Sequence, residues 1–561
     1  MKVNRLSFHH PLAFWLGCAA LTGGVLAHLP MFIHASHMNY RMAGMPMDAA
    51  MMIGMAVIPI GLLLAAYGLM PRFDAMRRPV QSGAGLQFHV ADGIALNREH
   101  WKLVLVLVVA LIVDVMKPAT LGFVMPGVMR EYQIGKPVAG LLALVALTGT
   151  TVGSILWGRL ADVCGRRAAI LLSALMFMGT AICGAMPSFE WNLVMCFLMG
   201  ASAGGLLPIT FTLMAEMIPT VHRGWLLVAL GGVGTSAGYL LAASAASVLE
   251  PLYGWRALWL LGLPTGALII FLDRYIPESP RFLASAGLED EARRVLTQFS
   301  GKTGAIVSGD TRADTAAVEN GEASADAPAD APAQALAQQT ATEAVAKGTM
   351  MDLLRGDHAA LTYGLGLCGI GWGLANFGFL LWLPVNLGTL GMDTAAASAL
   401  LARSAFLALP GIALVIWMYH RWNSVGTLIV FILLTVASLS AFFIMGMTGT
   451  SSATALVVAT AALLVSASGV IATLLPYAAE IYPVHLRATG SGVIAASSKF
   501  GGILGAGFGV LGLLGELAVS AILITVPLVI SAVMLMRAGV NTRGKRLEEI
   551  QETISGRFQR D

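Results

Sequence analysis

Apolar positions along this chain come in blocks of about twenty residues that carry almost no charge, the length a helix needs to cross the hydrocarbon core of a bilayer. Fourteen such blocks are read: 12–33 and 50–70; then 103–125, 137–158, 168–187, 191–214, 224–247 and 257–273; and finally 360–383, 395–419, 425–446, 453–476, 488–511 and 516–536. A polar connector at 71–102 separates the first two from the next six, and a long polar stretch separates those six from the last six. The pattern predicts an all-α polytopic membrane protein. Its expected divisions are a two-helix extension with its connector (1–102), a first six-helix bundle (103–274), a central loop (275–359), a second six-helix bundle (360–537) and a tail (538–561). Lys2 and Arg5 precede the first block and no A-x-A site follows it, so that block reads as an uncleaved helix.

Composition agrees. Hydrophobic residues make up 57% of the 561 and charged residues only 12%, about half of what a soluble protein carries. The net charge of +3 says nothing about nucleic acid, because in a membrane protein the sign matters loop by loop. With the N-terminus inside, the inside segments hold 27 of the 34 Lys and Arg, the outside loops hold 4, and Lys117, Arg403 and Lys499 fall within helices. That asymmetry predicts a protein of the plasma (cell inner) membrane with both termini cytoplasmic. Residues 302–348, rich in Ala, Asp, Pro, Gln and Thr, lack the apolar surface to fold and are expected to be a disordered cytoplasmic linker. Cys18, Cys164, Cys183, Cys196 and Cys368 show no CxxC spacing, hence no disulfide framework and no zinc site.

The two halves repeat each other. "AEMIPTVHRG" begins at Ala215 and "AEIYPVHLRA" at Ala479, so Glu216 matches Glu480, Pro219 matches Pro483 and Arg223 matches Arg487. Each motif ends the fourth helix of its half on the expected cytoplasmic side. Duplicated six-helix halves are the architecture of rocking transporters, which bind substrate near the midplane between the halves.

Three further stretches carry a family resemblance. "GRLADVCGRR", from Gly158 to Arg167, joins the second and third helices of the first half; "PESPRFL" begins at Pro277 after the sixth; "NTRGKRLEEI" begins at Asn541 after the last. Together with the repeated motif they resemble the major facilitator superfamily over roughly 100–550, and within it the sugar-porter and metabolite–proton symporter branches. The resemblance implies the two-bundle fold and alternating access. It also implies an inside latch that holds an outward-open state, made of Gly158, Asp162, Gly165, Arg166, Arg167, Glu216, Arg223, Glu278, Arg281, Glu480 and Arg487, in which the loop acid meets a helix N-terminus of the opposite half. Val163 stands where the family often has Arg or Lys, and the corresponding second-half loop "YHRWNSVGTL" lacks the Gly-Arg-Arg ending, so the latch is expected to be stronger from the first half. The fifth helix, "LGGVGTSAGYLLA", has small residues spaced for close helix packing but no Gly-Pro element of the drug–proton antiporter branches.

Charges at bilayer depth are costly and are therefore functional candidates. Asp114 and Lys117 lie near the middle of the first core helix, Lys499 in the eleventh and Arg403 in the eighth, a formal sum of +2 that suits an anionic substrate such as a carboxylate. Asp114 is the candidate for proton coupling. Lys117, Arg403 and Lys499, with Tyr239, Trp372, Asn376 and Tyr477, are candidates for substrate binding, since Asn and Tyr fix polar groups and Trp stacks on rings. The expected function is proton-coupled symport of a small organic anion. A sugar or polyol carrier, a metabolite exporter and a non-transporting membrane sensor are the alternatives. No P-loop, HExxH or nucleophile-elbow pattern occurs in the core, so neither an enzyme nor a cofactor beyond a coupling proton is expected. The expected partners are a small-molecule substrate and the bilayer, with no nucleic acid and a working monomer. Apart from this machinery, "HASHMNYRMAGMPMD" joins the first two helices on the outer side, and its His34, His37, Met38, Met42, Met45 and Met47 form a candidate Cu(I) site.

Overall fold

The computed structural model describes residues 10–69, 95–300, 350–513 and 517–542, less 287, 356–357, 390, 449–451 and 483, together with 550, 553 and 554. The expected linker at 302–348 and most of the 71–102 connector lie outside the described residues. Among those described, fourteen helices are long and apolar enough to cross a membrane: α1 Pro11–Met38, α2 Ala49–Leu69, α3 Arg98–Tyr132, α4 Lys136–Cys164, α5 Arg166–Ala185, α6 Phe189–Met217, α7 Val221–Tyr253, α8 Ala257–Tyr275, α9 Ala359–Gly388, α10 Thr394–Arg421, α11 Ser424–Thr448, α12 Ala453–Ile481, α13 Thr489–Val510 and α14 Ala518–Ala538. Each answers one expected block.

Short polar side chains set where several of them begin. Asn97 accepts the N–H groups of Glu99 and His100 at 3.0 and 3.1 Å, and His100 Nδ1 accepts the Asn97 N–H in return, so α3 starts five residues before its apolar block. Ser188, Asp393 and Ser452 cap α6, α10 and α12 in the same way.

α3–α8 form the first half and α9–α14 the second. The halves meet through α7 against α10 and α12, and through α4 against α13. The second helix of each half thus packs on the fifth helix of the other, the pairing that a two-fold repeat requires. The face carrying the 159–167 loop is called the basic face below, and the opposite one the far face. In the Gly-rich α7, a Cβ on Gly238 would lie 2.9 Å from the Ile112 carbonyl oxygen, so the small-residue spacing does bring α7 close to α3.

α1 and α2 pack on each other and then on α5, which is why α5 is the most enclosed span, 94% buried along its apolar window. A second attachment lies at the far face. The N–H groups of Met42 and Ala43 donate to Glu131 Oε1 at 2.7 and 2.9 Å. Glu131 also receives Trp255 Nε1 at 2.8 Å and the Arg256 guanidinium at 2.8 Å. The ion pair is buried, with side-chain exposures of 0% for Arg256 and 5% for Glu131. Arg256 uses its other donors on the Gly184 and Met186 carbonyls and the Tyr132 hydroxyl. One carboxylate therefore joins the α1–α2 loop, α3, α5 and α8. Removing it leaves Arg256 buried without its counter-charge, a loss of about 3–5 kcal/mol. Glu131→Ala should accordingly lower the thermal midpoint of detergent-solubilised protein far more than a change at exposed Leu12; a midpoint equal to that of the parent would refute the clamp.

Candidate functional site

Between the halves lies a cavity of about 170 Å³. Asp114, Pro118, Gly122 and Phe123 of α3 form one wall, with Thr235 and Tyr239 of α7 beside them. Trp372, Asn376, Phe377, Leu381 and Pro384 of α9 form the facing wall, flanked by Ser468 and Ile471 of α12 and by Ser498 and Lys499 of α13. Prolines shape both principal walls. Pro118 has no N–H for the Asp114 carbonyl, and Pro384 none for Leu380. α9 loses regular α geometry here: it is α-helical to Gly373, passes through a π-type turn at Leu374–Phe379 and a 3₁₀ turn at Leu380–Trp382, and resumes at Leu383. Asn376 sits in that π-type turn, a distortion common at functional sites. The uninterrupted helix expected at 360–383 is thus broken at the point where it meets the cavity.

Two aromatic pairs face the space, one from each half. Phe123 and Tyr239 lie with ring centroids 5.7 Å apart, and Trp372 and Phe377 6.0 Å apart in an edge-to-face arrangement. Trp372 is held in place by its Nε1 donating to the Ala467 carbonyl at 2.8 Å. The Tyr239 hydroxyl and Asp114 Oδ1 are buried without a hydrogen-bond partner among the described residues. Ser236 and Ser468 bond hydroxyl to hydroxyl across the halves at 3.0 Å.

Of the eight residues expected at the site, Asp114, Tyr239, Trp372, Asn376 and Lys499 come together on the cavity wall. Lys117, Arg403 and Tyr477 do not. At about 100° per residue, Lys117 lies roughly 150° from the middle of the α3 arc that lines the cavity. Its ammonium is 3.9 Å from Asp114 Oδ1 and 3.3 Å from the centroid of the Phe177 ring of α5, with its side chain fully buried inside the first half. A helical pair at i and i+3 shares a face, but that face need not be the one toward the cavity. Arg403 is exposed, on a helix that contributes nothing to the wall. Tyr477 lies on the back of α12, where its hydroxyl donates to the Val540 carbonyl at 2.8 Å and ties α12 to the segment after α14. The wall therefore carries one carboxylate and one ammonium, not the surplus of two positive charges expected from the helices as a whole.

The residues of the expected latch gather on the basic face, each half with its own cluster. Arg166 bridges Asp162 at 3.1 Å and Glu216 at 3.3 Å, and Arg167 makes two bonds of 2.6 Å to Asp273, a partner the motifs did not reveal. Glu278 accepts the N–H groups of Arg166, Arg167 and Ser279 at 2.7, 3.2 and 3.0 Å, closing the start of α5. Gly165 has φ +101, and a Cβ there would run into the Glu278 carboxylate, so only glycine fits. Gly158 has open space around it and no such constraint. Arg223 donates to the Ile218 carbonyl at 3.3 Å, Arg281 is exposed, and Arg487 lies outside the described side chains. In the second half, Glu480 accepts from the Tyr419 and Thr542 hydroxyls at 3.0 and 2.6 Å. Asn541 Oδ1 accepts the Ser424 N–H at 3.2 Å at the start of α11, the place that Glu278 takes at α5. The expected contact of Asp162 with the opposite half is absent among the described residues. Its carboxylate is 72% exposed and turned to Arg166.

The candidate copper ligands divide between core and surface: Met42 is fully buried, Met38 is 45% exposed, Met45 and Met47 are half-buried, and only His34 and His37 face each other, at 6.4 Å between rings. Backbone bonds to Glu131 dock this loop on the first half.

Burial pushes the Glu278 carboxyl up to about 7, against the three N–H donors and Arg166, which pull it down. A carboxyl raised by folding lends its full stability below its unfolded value of about 4.3 and loses it as pH rises through about 7. The thermal midpoint should therefore fall between about pH 5 and pH 8, and Glu278→Gln should flatten that fall; an unchanged slope would assign it to another group.

The profile of the Major Facilitator Superfamily matches residues 103–506. The niacin transporter NiaP of Acinetobacter baylyi is 25% identical over 417 residues, 73% of this chain and 87% of that protein. The 4-hydroxybenzoate transporter PcaK of Pseudomonas putida is 27% identical over 423 residues, 73% of this chain and 86% of that protein. Among solved structures, the xylose transporter XylE from E. coli in a partially occluded inward open conformation superposes with a TM-score of 0.59 at 16% identity, covering 80% of this chain and 100% of that one. That last likeness shows the fold. With two bundles related by a repeat, a cavity between them and a profile match spanning both halves, the chain belongs to the Major Facilitator Superfamily.

Proposed function

We propose that this protein is a proton-coupled symporter of small aromatic carboxylates, working by alternating access in the cell inner membrane with its basic face and both termini cytoplasmic. The observation that supports it most is the charge content of the cavity wall, Asp114 and Lys499. With both ionised and the site empty, the wall sums to zero. An organic anion alone brings it to −1, and a proton on Asp114 alone brings it to +1. Anion and proton together return it to zero. A net charge at bilayer depth is costly, so the two are favoured to enter and leave as a pair. Lys117, off the wall behind Asp114 and against the Phe177 ring, adds the same +1 to every one of these sums, so only anion and proton together leave the charge of the site as it was.

The aromatic pairs favour a flat ring, Lys499 a carboxylate, and the unpartnered Tyr239 hydroxyl and the Asn376 amide a second polar group. The names of the niacin and 4-hydroxybenzoate transporters, both aromatic acids, point the same way. The sugar alternative leaves the lysine on the wall without a role.

Uptake of labelled nicotinate and 4-hydroxybenzoate into proteoliposomes tests this. Accumulation is expected only when the pH gradient drives protons in the direction of uptake, and uptake that ignores the gradient would exclude symport. Asp114→Asn should abolish accumulation while sparing counterflow, and unchanged accumulation would remove Asp114 from the mechanism. Lys499→Gln should raise KM for the acids by roughly tenfold or more; an unaltered KM would place the carboxylate elsewhere.

A further inference from the structure

Four basic residues lie at the far face: Arg41, Arg130, Lys136 and Arg256. A membrane protein holds Lys and Arg back from this side, so those present invite a structural reason. Arg256 has one in Glu131. Arg130 and Lys136 reach instead to the second half.

Arg130 Nη2 is 3.4 Å from Glu250 Oε1 and 3.3 Å from Thr394 Oγ1. Arg130 ends α3 and Glu250 ends α7, both in the first half, while Thr394 is the first residue of α10 in the second. The Glu250 side chain is 5% exposed and its Oε2 has no hydrogen-bond partner among the described residues, whereas Arg130 is 65% exposed. The neighbouring acid Asp393 accepts the Ala395 N–H at 2.7 Å as the cap of α10. Across the rim, Lys136 Nζ is 3.3 Å from Asn386 Oδ1 of α9. The halves also meet where Gly122 of α3 packs on the Leu381 carbonyl of α9, next to buried Trp382.

We propose that Arg130, Glu250 and Thr394 form the latch that holds the far face closed, with Lys136 and Asn386 as a second, weaker tie. This goes beyond the reading of the substrate, since it assigns the residues that stabilise one end state of the cycle whatever is carried. The latch is a balance. Closing the face buries the Glu250 carboxylate, which is unfavourable by itself. Arg130 offsets that burial and at the same time grips Thr394 of the other half. When the face opens, Thr394 leaves and Glu250 gains water. Arg130 and Glu250 are thus positioning residues that set how often the cavity is reached from this side.

The test uses the full-length protein in proteoliposomes with Ala203→Cys, a small residue of the cavity wall, as reporter, and a membrane-impermeant maleimide added at the far face. The native cysteines are buried, and the protein without the reporter sets the background. Arg130→Ala should speed labelling by roughly tenfold, because it leaves Glu250 buried without its cation and hydration then drives opening. Arg130→Ala combined with Glu250→Gln should bring the rate back toward that of the parent, since an uncharged amide gains far less from water. Thr394→Val gives a milder increase and serves if Arg130→Ala fails to elute as a monodisperse species. A rate within about twofold of the parent in both single variants would overturn the latch, and an accelerated double variant would overturn the part assigned to Glu250. Labelling needs neither substrate nor pH gradient, so failure of the symport reading would leave this result intact.

Discussion

A charge taken out of water has to be balanced where it sits, and the working parts of this protein are arranged around that constraint. Three carboxylates are buried against cations, and each pair joins different pieces. Glu131 with Arg256 fastens the N-terminal helix pair to the first half. Glu250 with Arg130 lies on the seam between the halves. Asp114 stands between two lysines, Lys117 behind it and Lys499 across the cavity. The first pair is sealed and static. The second buries its carboxylate beside a contact to the other half. The third faces the space in which a solute would sit, so its balance changes with occupancy. On the assignments proposed above, the same physics serves as glue, as a gate and as a coupling device, according to whether water or solute can reach the pair.

The repeat supplies the frame on which these pairs act. In both halves a residue beyond the sixth helix closes the start of the third helix: Glu278 at α5 and Asn541 at α11. In both, the repeated motif places a glutamate at the basic-face end of the fourth helix. The first half answers that glutamate with a guanidinium, Arg166, and the second with the hydroxyls of Tyr419 and Thr542. The second-half loop lacks the Gly-Arg-Arg ending, and there two hydroxyls donate to the glutamate.

The chain's hydropathy determined the number of helices and their division into a pair and two sixes, because a bilayer demands runs of fixed length, while the motifs that carry the family resemblance are local in sequence. Five of the eight residues expected at the site were also legible, since polar groups inside apolar runs are rare enough to stand out. The helix N-caps and the small-residue packing of α7 belong to the same class of local signals. What the sequence could not show is azimuth and distance. Lys117 is one turn from Asp114 yet points into the first half, Tyr477 turns its back on the cavity, and Arg403 stands on a helix outside the wall; three residues expected at one site are separated by the placement of their helices. Glu131, Glu250 and Asp273 drew no notice, because an acid at a helix end looks like any solvated terminus until its partner, 125, 120 or 106 positions away, is placed beside it. Composition and periodicity act over tens of residues and specify which segments enter the membrane. The pairing of charges acts through space over a few ångströms, so only the packed bundle decides which of them meet.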